Sequence, residues 1–238
     1  MLASPPLPDT STPQNTGTSH LTLAIIDDHP PIRQAIRHTA EDRMGMEVVA
    51  EADSNEDALR LITEHTPTVA VIDLSLSDGL SFGLMRTLRA ECPGTALLVF
   101  SMYEEKIYAE RALRHGASGY LMKPASTADL LAAAEKVGRG EVYLSPEMTT
   151  RVLRGQQAGT SQQIHFPIDE LTDRQLEIFR LIGEGLTAKM IADRLEITQK
   201  TVEAHRRNAK NKLGYDSIDQ VTSHAARWVQ AEKCGDAV

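Results

Sequence analysis

Cysteine is scarce in this chain of 238 residues, and long apolar runs are absent. The two cysteines, Cys92 and Cys234, are far apart and lack metal-ligand spacing, which argues against a disulfide framework and a zinc site. No apolar run is long enough to span a bilayer, and the first twenty residues, rich in Ser, Thr and Pro, do not resemble a secretory signal. We therefore expect a cytoplasmic protein with no membrane contact and a disordered tail at residues 1–20.

The net charge of −8 is unevenly distributed along the chain. Residues 1–164 contain 14 basic and 21 acidic side chains, whereas residues 165–238 contain 11 and 12. The acidic excess therefore belongs to the first part, and the total charge does not exclude a local basic surface in the second. The length allows two compact units, since a domain typically has roughly 100 to 200 residues.

Residues 21–140 alternate short apolar runs with amphipathic stretches. This alternation predicts an α/β domain in which a doubly wound, parallel, five-stranded sheet is covered by helices on both faces. The predicted strands are 21–26, 46–50, 69–72, 95–100 and 119–122. The predicted helices are 31–42, 54–65, 81–91, 103–115 and 126–138.

The composition changes after Gly138, Arg139 and Gly140. Residues 141–166 are polar and low in aliphatic side chains, which predicts a linker that is flexible at 155–163 and is preceded by a short helix at about 146–153. Residues 167–233 have helical periodicity throughout, broken at 183–187, 196–198 and 214–217. This second domain is therefore predicted to be all-α, with four helices.

Polar side chains follow four of the predicted strands. Because parallel strands end at the same edge of a sheet, these side chains should lie together: Asp27 and Asp28, Asp73, Ser101, and Lys123. Three carboxylates repel one another unless a cation joins them, and an oxygen-only site with open positions suits Mg²⁺. Taken singly, each residue also fits a turn or an ordinary surface position, so the prediction depends on their combination.

A carboxylate beside a bound cation can attack a phosphoryl donor and become an aspartyl phosphate. Asp73 is the candidate acceptor, with Lys123 supplying a point charge and Ser101 a hydroxyl donor. A phosphohydrolase with an aspartate nucleophile is the enzymatic alternative. Such enzymes usually carry an Asp-x-Asp motif and a cap over the site, and neither is visible, so we expect a protein that is not an enzyme.

Residues 21–138 resemble the receiver domain of bacterial two-component response regulators. The resemblance lies in Asp27-Asp28-His29-Pro30, Asp73, Ser101 and residues 119–124. It implies a flavodoxin-like sheet of order 2-1-3-4-5. It also implies phosphorylation of Asp73 by a histidine kinase, Mg²⁺ held by Asp28 and Asp73 with the Ser75 carbonyl, switching by Ser101 and Tyr120, and a cis peptide between Lys123 and Pro124.

The loop after Asp73 departs from this family. Many receivers have Pro four residues and Gly eight residues after the phosphorylated Asp, where this chain has Ser77 and Ser81. The shape of the 74–81 loop is therefore left open. An alternative function follows from this departure, that of a DNA-binding dimer that does not depend on phosphorylation.

The second domain opens with a capping box formed by Thr172 and Gln175. Two further helices follow, at about 187–195 and from residue 198, and their short connection is typical of a helix-turn-helix. The last of these places Lys200, Glu203, Arg207 and Lys210 on one outward face, and residues 199–213 contain five basic side chains against one acidic. A solvated helical face is the alternative for such a stripe.

Residues 171–214 resemble the LuxR-type output domain of NarL/FixJ-class regulators. The resemblance lies in residues 171–174, 185–187, 191–192, 201–205 and 212–214. It implies a dimer on double-stranded DNA after phosphorylation, with base-reading positions at Glu203, Ala204 and Arg207, and further DNA-facing positions at Thr201, Lys200 and Lys210. Met190 stands where the family usually has Glu, which removes a capping partner of Thr187.

Overall fold

The computed structural model of the chain describes residues 21–157 and 167–234. The predicted tail at residues 1–20 and residues 158–166 of the predicted linker lie outside these ranges. Within the described ranges, no helix combines the length and the apolar character that crossing a bilayer requires.

The strands of the described residues are β1 (Thr22–Ile26), β2 (Glu47–Ala52), β3 (Val69–Ile72), β4 (Ser75–Leu76), β5 (Gly79–Leu80), β6 (Ala96–Ser101) and β7 (Gly119–Met122). A parallel sheet of five strands has the order β2-β1-β3-β6-β7. Counting only these five, the order is 2-1-3-4-5. The prediction of a doubly wound parallel sheet and the order implied by the resemblance are both confirmed.

The helices of the first unit are α1 (Pro30–Met44), α2 (Asn55–His65), α3 (Phe82–Glu91), α4 (Glu105–Arg114) and α5 (Thr127–Gly138). One face of the sheet packs against α1 and α5, and the other packs against α2, α3 and α4. Each helix lies within three residues of its predicted bounds. Ser54 and Ser126 cap α2 and α5 by accepting hydrogen bonds from the backbone N–H groups of Asp57 and Asp129.

Strand β3 is buried along its whole length at the centre of the sheet. Val69 and Val71 face the α1 and α5 side, while Ala70 and Ile72 face the α2, α3 and α4 side. Burial on both faces explains why this run has no polar alternation. The strand ends at Ile72, so that Asp73 lies at the edge of the sheet.

The 74–81 loop contains an antiparallel hairpin that the sequence did not predict. Strands β4 and β5 pair with each other, and Gly79 has a positive φ of 126°. The Asp78 carboxylate at the turn accepts hydrogen bonds of 2.8 Å from the backbone and side-chain amides of Asn55, at the start of α2. Two-residue strands give too little alternation to be recognised in a sequence.

All peptide bonds of the described residues are trans. The expectation of a cis peptide between Lys123 and Pro124 is therefore wrong. The trans form is intrinsically favoured even before proline, and this turn adopts it.

The first part of the predicted linker lies against the sheet. Tyr143 forms a parallel bridge with Gly119, and backbone hydrogen bonds join it to Ser118 and Tyr120 at 3.0 and 2.9 Å. Helix α6 (Pro146–Gln157) then packs on α4, and its Met148 is 2% exposed. The predicted helix at about 146–153 is confirmed and is longer than expected.

The second unit contains a short 3₁₀ helix (Pro167–Glu170) and four α-helices, namely α7 (Asp173–Gly183), α8 (Ala188–Arg194), α9 (Gln199–Lys212) and α10 (Ile218–Cys234). The predicted capping box is present at the start of α7, where Thr172 and Gln175 exchange hydrogen bonds. Residues 195–198 join α8 to α9. These elements confirm the predicted helix-turn-helix and the four-helix character of this domain.

Candidate acidic centre and candidate nucleic-acid interface

The edge of the sheet brings the predicted carboxylates together. Asp27 follows β1 and Asp73 follows β3, and these two strands are neighbours. Asp27, Asp28, His29 and Asp73 each offer a ligand atom, and these atoms lie within 4.8 Å of one another. We call Asp27, Asp28 and Asp73, together with Lys123, the acidic centre.

Lys123 bridges two carboxylates of the acidic centre. Its Nζ lies 2.6 Å from Asp27 Oδ2 and 2.7 Å from Asp73 Oδ2. The three side chains are between 3% and 7% exposed, so little water separates them. The acidic centre contains three carboxyl groups and one ammonium group, and the ammonium group contacts two of the three.

Burial shapes the acid–base properties of this centre. It raises the pKa of Asp73, although the attraction of Lys123 acts in the opposite direction. Burial alone would lower the pKa of Lys123, but the attraction of Asp73 and Asp27 outweighs it, so the pKa of Lys123 is raised. The raised pKa of Asp73 thus reflects poor hydration of the site, and the raised pKa of Lys123 reflects its two carboxylate neighbours.

The donor set fits a hard divalent cation. Asp28 Oδ1 is buried without a hydrogen bond; His29 Nδ1 lies 2.8 Å away but outside hydrogen-bonding geometry. An acidic oxygen in that position is a natural ligand for Mg²⁺, and the neighbouring carboxylates supply further oxygens. Asp27, Asp28 and Asp73 are the residues that would hold the ion. The predicted role of the Ser75 carbonyl stays a prediction, while the Ser75 N–H donates to Asp73 Oδ1 at 3.3 Å.

The two predicted switch residues both form hydrogen bonds with the backbone of Tyr103. The fully buried Ser101 hydroxyl accepts a hydrogen bond of 3.2 Å from the Tyr103 N–H. The Tyr120 hydroxyl donates to the Tyr103 carbonyl at 2.8 Å, and its ring is 1% exposed and thus already points inward. Tyr103 was not among the predicted site residues because it follows Ser101 in a loop with no recognisable motif.

Helix α9 presents the predicted basic stripe, which consists of Lys200, Glu203, Arg207 and Lys210. Lys200 and Arg207 are exposed, and Glu203 and Lys210 are partly exposed. The opposite face of the helix is buried through Val202, Ala209 and Leu213. Thr201 and Ala204 lie beside the stripe and are partly exposed.

Local contacts order the beginning of α9. The Thr198 hydroxyl caps the helix by accepting from the Thr201 N–H at 3.1 Å. The Glu203 carboxylate accepts from Arg206 through Oε1 at 2.9 Å, which leaves Oε2 as a further acceptor on the partly exposed face. Arg207 projects into solvent, where a DNA base or phosphate can reach it.

Helix α8 starts with half a capping box. The Thr187 hydroxyl accepts from the Met190 N–H at 3.3 Å, but the Met190 side chain has no acceptor for a return hydrogen bond and is 53% exposed. Met190, where the family usually has Glu, therefore leaves Thr187 without its capping partner, as the sequence predicted.

Two protein-family models match the chain. Residues 23–135 match the response regulator receiver domain, and residues 169–225 match the bacterial regulatory proteins of the luxR family. The oxygen regulatory protein NreC of Staphylococcus carnosus is 34% identical over 213 residues, which cover 86% of this chain and 96% of NreC.

Solved structures show the same relationship. A LuxR-family two-component response regulator from Aurantimonas is 32% identical with a TM-score of 0.53, covering 58% of this chain and 99% of that one. RcsB of Salmonella typhimurium aligns over 87% of this chain and 98% of its own, with a TM-score of 0.64. Because RcsB is 22% identical, it supports the fold alone.

Proposed function

The chain belongs to the two-component response regulators that join a receiver domain to a LuxR-type DNA-binding domain, and we propose that phosphorylation of Asp73 controls its binding to DNA. In this proposal residues 21–140 are the receiver, 141–166 the linker and 167–233 the DNA-binding domain. A histidine kinase supplies the phosphoryl group. Double-stranded DNA is the target of the second domain.

The observation that carries this proposal is the contact of Lys123 with both Asp27 and Asp73 at the end of the central strand. Asp73 is the nucleophile. One of its carboxylate oxygens forms a bond to phosphorus, while the bond from phosphorus to the donor histidine breaks and its nitrogen keeps the electron pair. The Lys123 ammonium then pairs with a phosphoryl oxygen, and the Ser101 hydroxyl donates to another.

A bound Mg²⁺ would supply positive charge that offsets the charge of the transferring group. Asp27, Asp28 and Asp73 hold it in this proposal, together with the Ser75 carbonyl. The burial of the centre keeps bulk water from the reacting oxygen, since Asp73 is only 5% exposed.

The exposed stripe of α9 supports DNA binding by the second domain. Arg207 can donate two hydrogen bonds to a guanine edge, and Glu203 can accept one from cytosine. Lys200 and Lys210 pair with phosphates and fix the position of the helix. Thr201 and Ala204 complete the DNA-facing surface. Phosphorylation favours a homodimer, which presents two such helices to paired half-sites.

Labelling by a small phosphodonor such as acetyl phosphate tests the acceptor. The wild-type protein should take up one acid-labile phosphoryl group in the presence of Mg²⁺, and Asp73→Asn should take up none. Asp53→Asn is the matched control, because Asp53 follows β2 at the same edge of the sheet yet lies outside the centre. Full labelling of Asp73→Asn would refute the assignment.

Oligomeric state distinguishes the alternative of a DNA-binding dimer that needs no phosphate. The proposal predicts that the phosphodonor shifts wild-type protein from monomer to dimer, measured by sedimentation. A dimer of unchanged stability with and without the donor would instead favour the alternative.

A further inference from the structure

The two units of the chain are packed against each other in the described structure. The Glu177 carboxylate of α7 accepts a hydrogen bond of 2.8 Å from the Leu80 N–H in the hairpin. On α4, Arg111 donates to the carbonyls of Leu171 and Ile168 at 2.7 and 3.0 Å. These contacts dock the helical unit beside the edge of the sheet that carries the acidic centre.

A buried arginine of the helical unit touches both loops that flank the acidic centre. Arg180 on α7 is 7% exposed, and its guanidinium lies over the Tyr103 ring, 4.3 Å from the centroid. Its Nη2 also donates to the Ser75 hydroxyl at 3.5 Å. A cation stacked on an aromatic ring is held most strongly when water is excluded, as it is here.

Tyr103 connects this arginine to the switch residues. Its N–H bonds to Ser101, and its carbonyl accepts from Tyr120. When the Ser101 hydroxyl turns toward a phosphoryl group on Asp73, it no longer accepts from Tyr103 in the same geometry. The loop that carries the Tyr103 ring then loses one of its two hydrogen bonds to the switch residues, and the stack with Arg180 depends on the position of that ring.

Ser75 provides the second connection. Its N–H donates to the Asp73 carboxylate at 3.3 Å, while its hydroxyl faces Arg180. A phosphoryl group on Asp73 changes the charge of the carboxyl group that accepts from the Ser75 N–H, and it therefore changes this hydrogen bond. Both loops in contact with Arg180 are therefore hydrogen-bonded to the site. Ser75 is bonded to Asp73, and Tyr103 is bonded to the switch residues Ser101 and Tyr120.

We propose that the stack of Arg180 on Tyr103 couples phosphorylation of Asp73 to release of the helical unit. Arg180 is a positioning residue in this inference, which rests on the proposed function. The hydrogen bonds from Arg111 to the Leu171 and Ile168 carbonyls hold the docked state in addition to the stack. Because Lys200 and Arg207 are exposed in the docked state, docking controls the orientation of the DNA-binding helix rather than covering these residues.

The single tryptophan of the chain reports on docking. Trp228 of α10 is 5% exposed, and its ring lies 6.3 Å from that of Tyr108 on α4. In the full-length wild-type protein, acetyl phosphate with Mg²⁺ should increase the quenching of Trp228 fluorescence by acrylamide. Labelling of the same sample measures phosphorylation separately.

Arg180→Gln and Tyr103→Leu each remove the stack. Both variants should be labelled like the wild type, yet the difference in Trp228 quenching between the phosphorylated and unphosphorylated protein should be lost. Tyr103→Phe keeps the ring and should keep the difference. Arg86→Gln, on an exposed position of α3, is the matched control and should also keep it.

The outcomes separate this inference from the proposed function. If the wild type is not labelled, the proposed function fails. If it is labelled but Trp228 quenching does not change, or if both stack variants retain the wild-type difference, the coupling through Arg180 is overturned while the proposed function stands. Loss of the difference in Tyr103→Phe would also overturn the role of the ring.

Discussion

The charged groups of the acidic centre are mostly buried, whereas those of the basic stripe are exposed or partly exposed to solvent. Asp27, Asp73 and Lys123 are buried at the edge of a sheet and pair with one another. Lys200 and Arg207 lie in solvent on one face of a helix. A group that takes part in bond formation gains from a site that excludes water, because its charge interactions are stronger there. A surface that reads a polyanion must instead remain open to it.

This difference also separates how the two sites depend on the fold. The stripe needs only a helix, since its members recur at helical spacing. The centre needs the sheet, because its residues come from three strands that are distant in sequence. Substitutions in the acidic centre should therefore lower the stability of the first unit. Substitutions in the basic stripe should weaken DNA binding and leave stability nearly unchanged.

The largest effect is expected from Lys123→Met. This substitution leaves two buried carboxylates without their cation, and removal of one partner of a buried ion pair costs roughly 3 kcal/mol. Chemical denaturation of the full chain measures the loss. Mg²⁺ should restore part of it, and by more than it stabilises the wild type, because the ion replaces the missing positive charge.

Two controls sharpen this prediction. Lys106→Met removes an exposed lysine of the same unit, whose pair with Glu147 is at 3.4 Å, and should cost less than about 0.5 kcal/mol. Arg207→Ala removes a cation of the basic stripe and should be equally mild for stability, at about 0.5 kcal/mol or less. If Lys123→Met were no more destabilising than these two, the acidic centre would not depend on its lysine.

The members of the basic stripe should differ in what they contribute to DNA binding. Arg207→Ala should cost about 1–3 kcal/mol at a preferred site and relax base preference at one position. Lys210→Ala should weaken binding to all sequences alike and reduce the slope of log affinity against log salt by about 1. Selection from randomised DNA followed by salt titrations measures both. Identical effects of the two substitutions would mean that the stripe does not separate base reading from phosphate contact.

Much of the architecture follows from the sequence for physical reasons. The bounds of β3 were predictable because burial on both faces demands a continuous apolar run, and Asp73 ends that run. The face of α9 was predictable because helical spacing alone assigns Val202 to the core and Arg207 to solvent. The strand order came from the resemblance, since spacing along the chain does not determine which strands are neighbours.

The contacts between the two units were not predictable in the same way. Arg180 and Glu177 read as polar positions of an amphipathic helix, and their partners are 105 and 97 residues away in sequence. The hairpin that meets them consists of two-residue strands with no periodicity to detect. Gly79 is a local feature that fits this contact. A Cβ at this position would lie 2.7 Å from Glu177 Oε1, so glycine permits the close approach of α7 to the hairpin.

The smallest predicted effect lies within the second unit, where helix starts can be compared. Helix α7 has a complete capping box, whereas α8 lacks the return hydrogen bond because Met190 has no acceptor. Met190→Glu should supply that acceptor and place a negative charge at the helix N-terminus, stabilising the unit by about 0.5–1 kcal/mol. Thermal unfolding measures the gain, with Met190→Gln as the uncharged control. Because the returning hydrogen bond comes from the backbone N–H of Thr187, an equal gain in Met190→Gln would assign it to the capping box, whereas a gain with glutamate alone would assign it to the helix dipole.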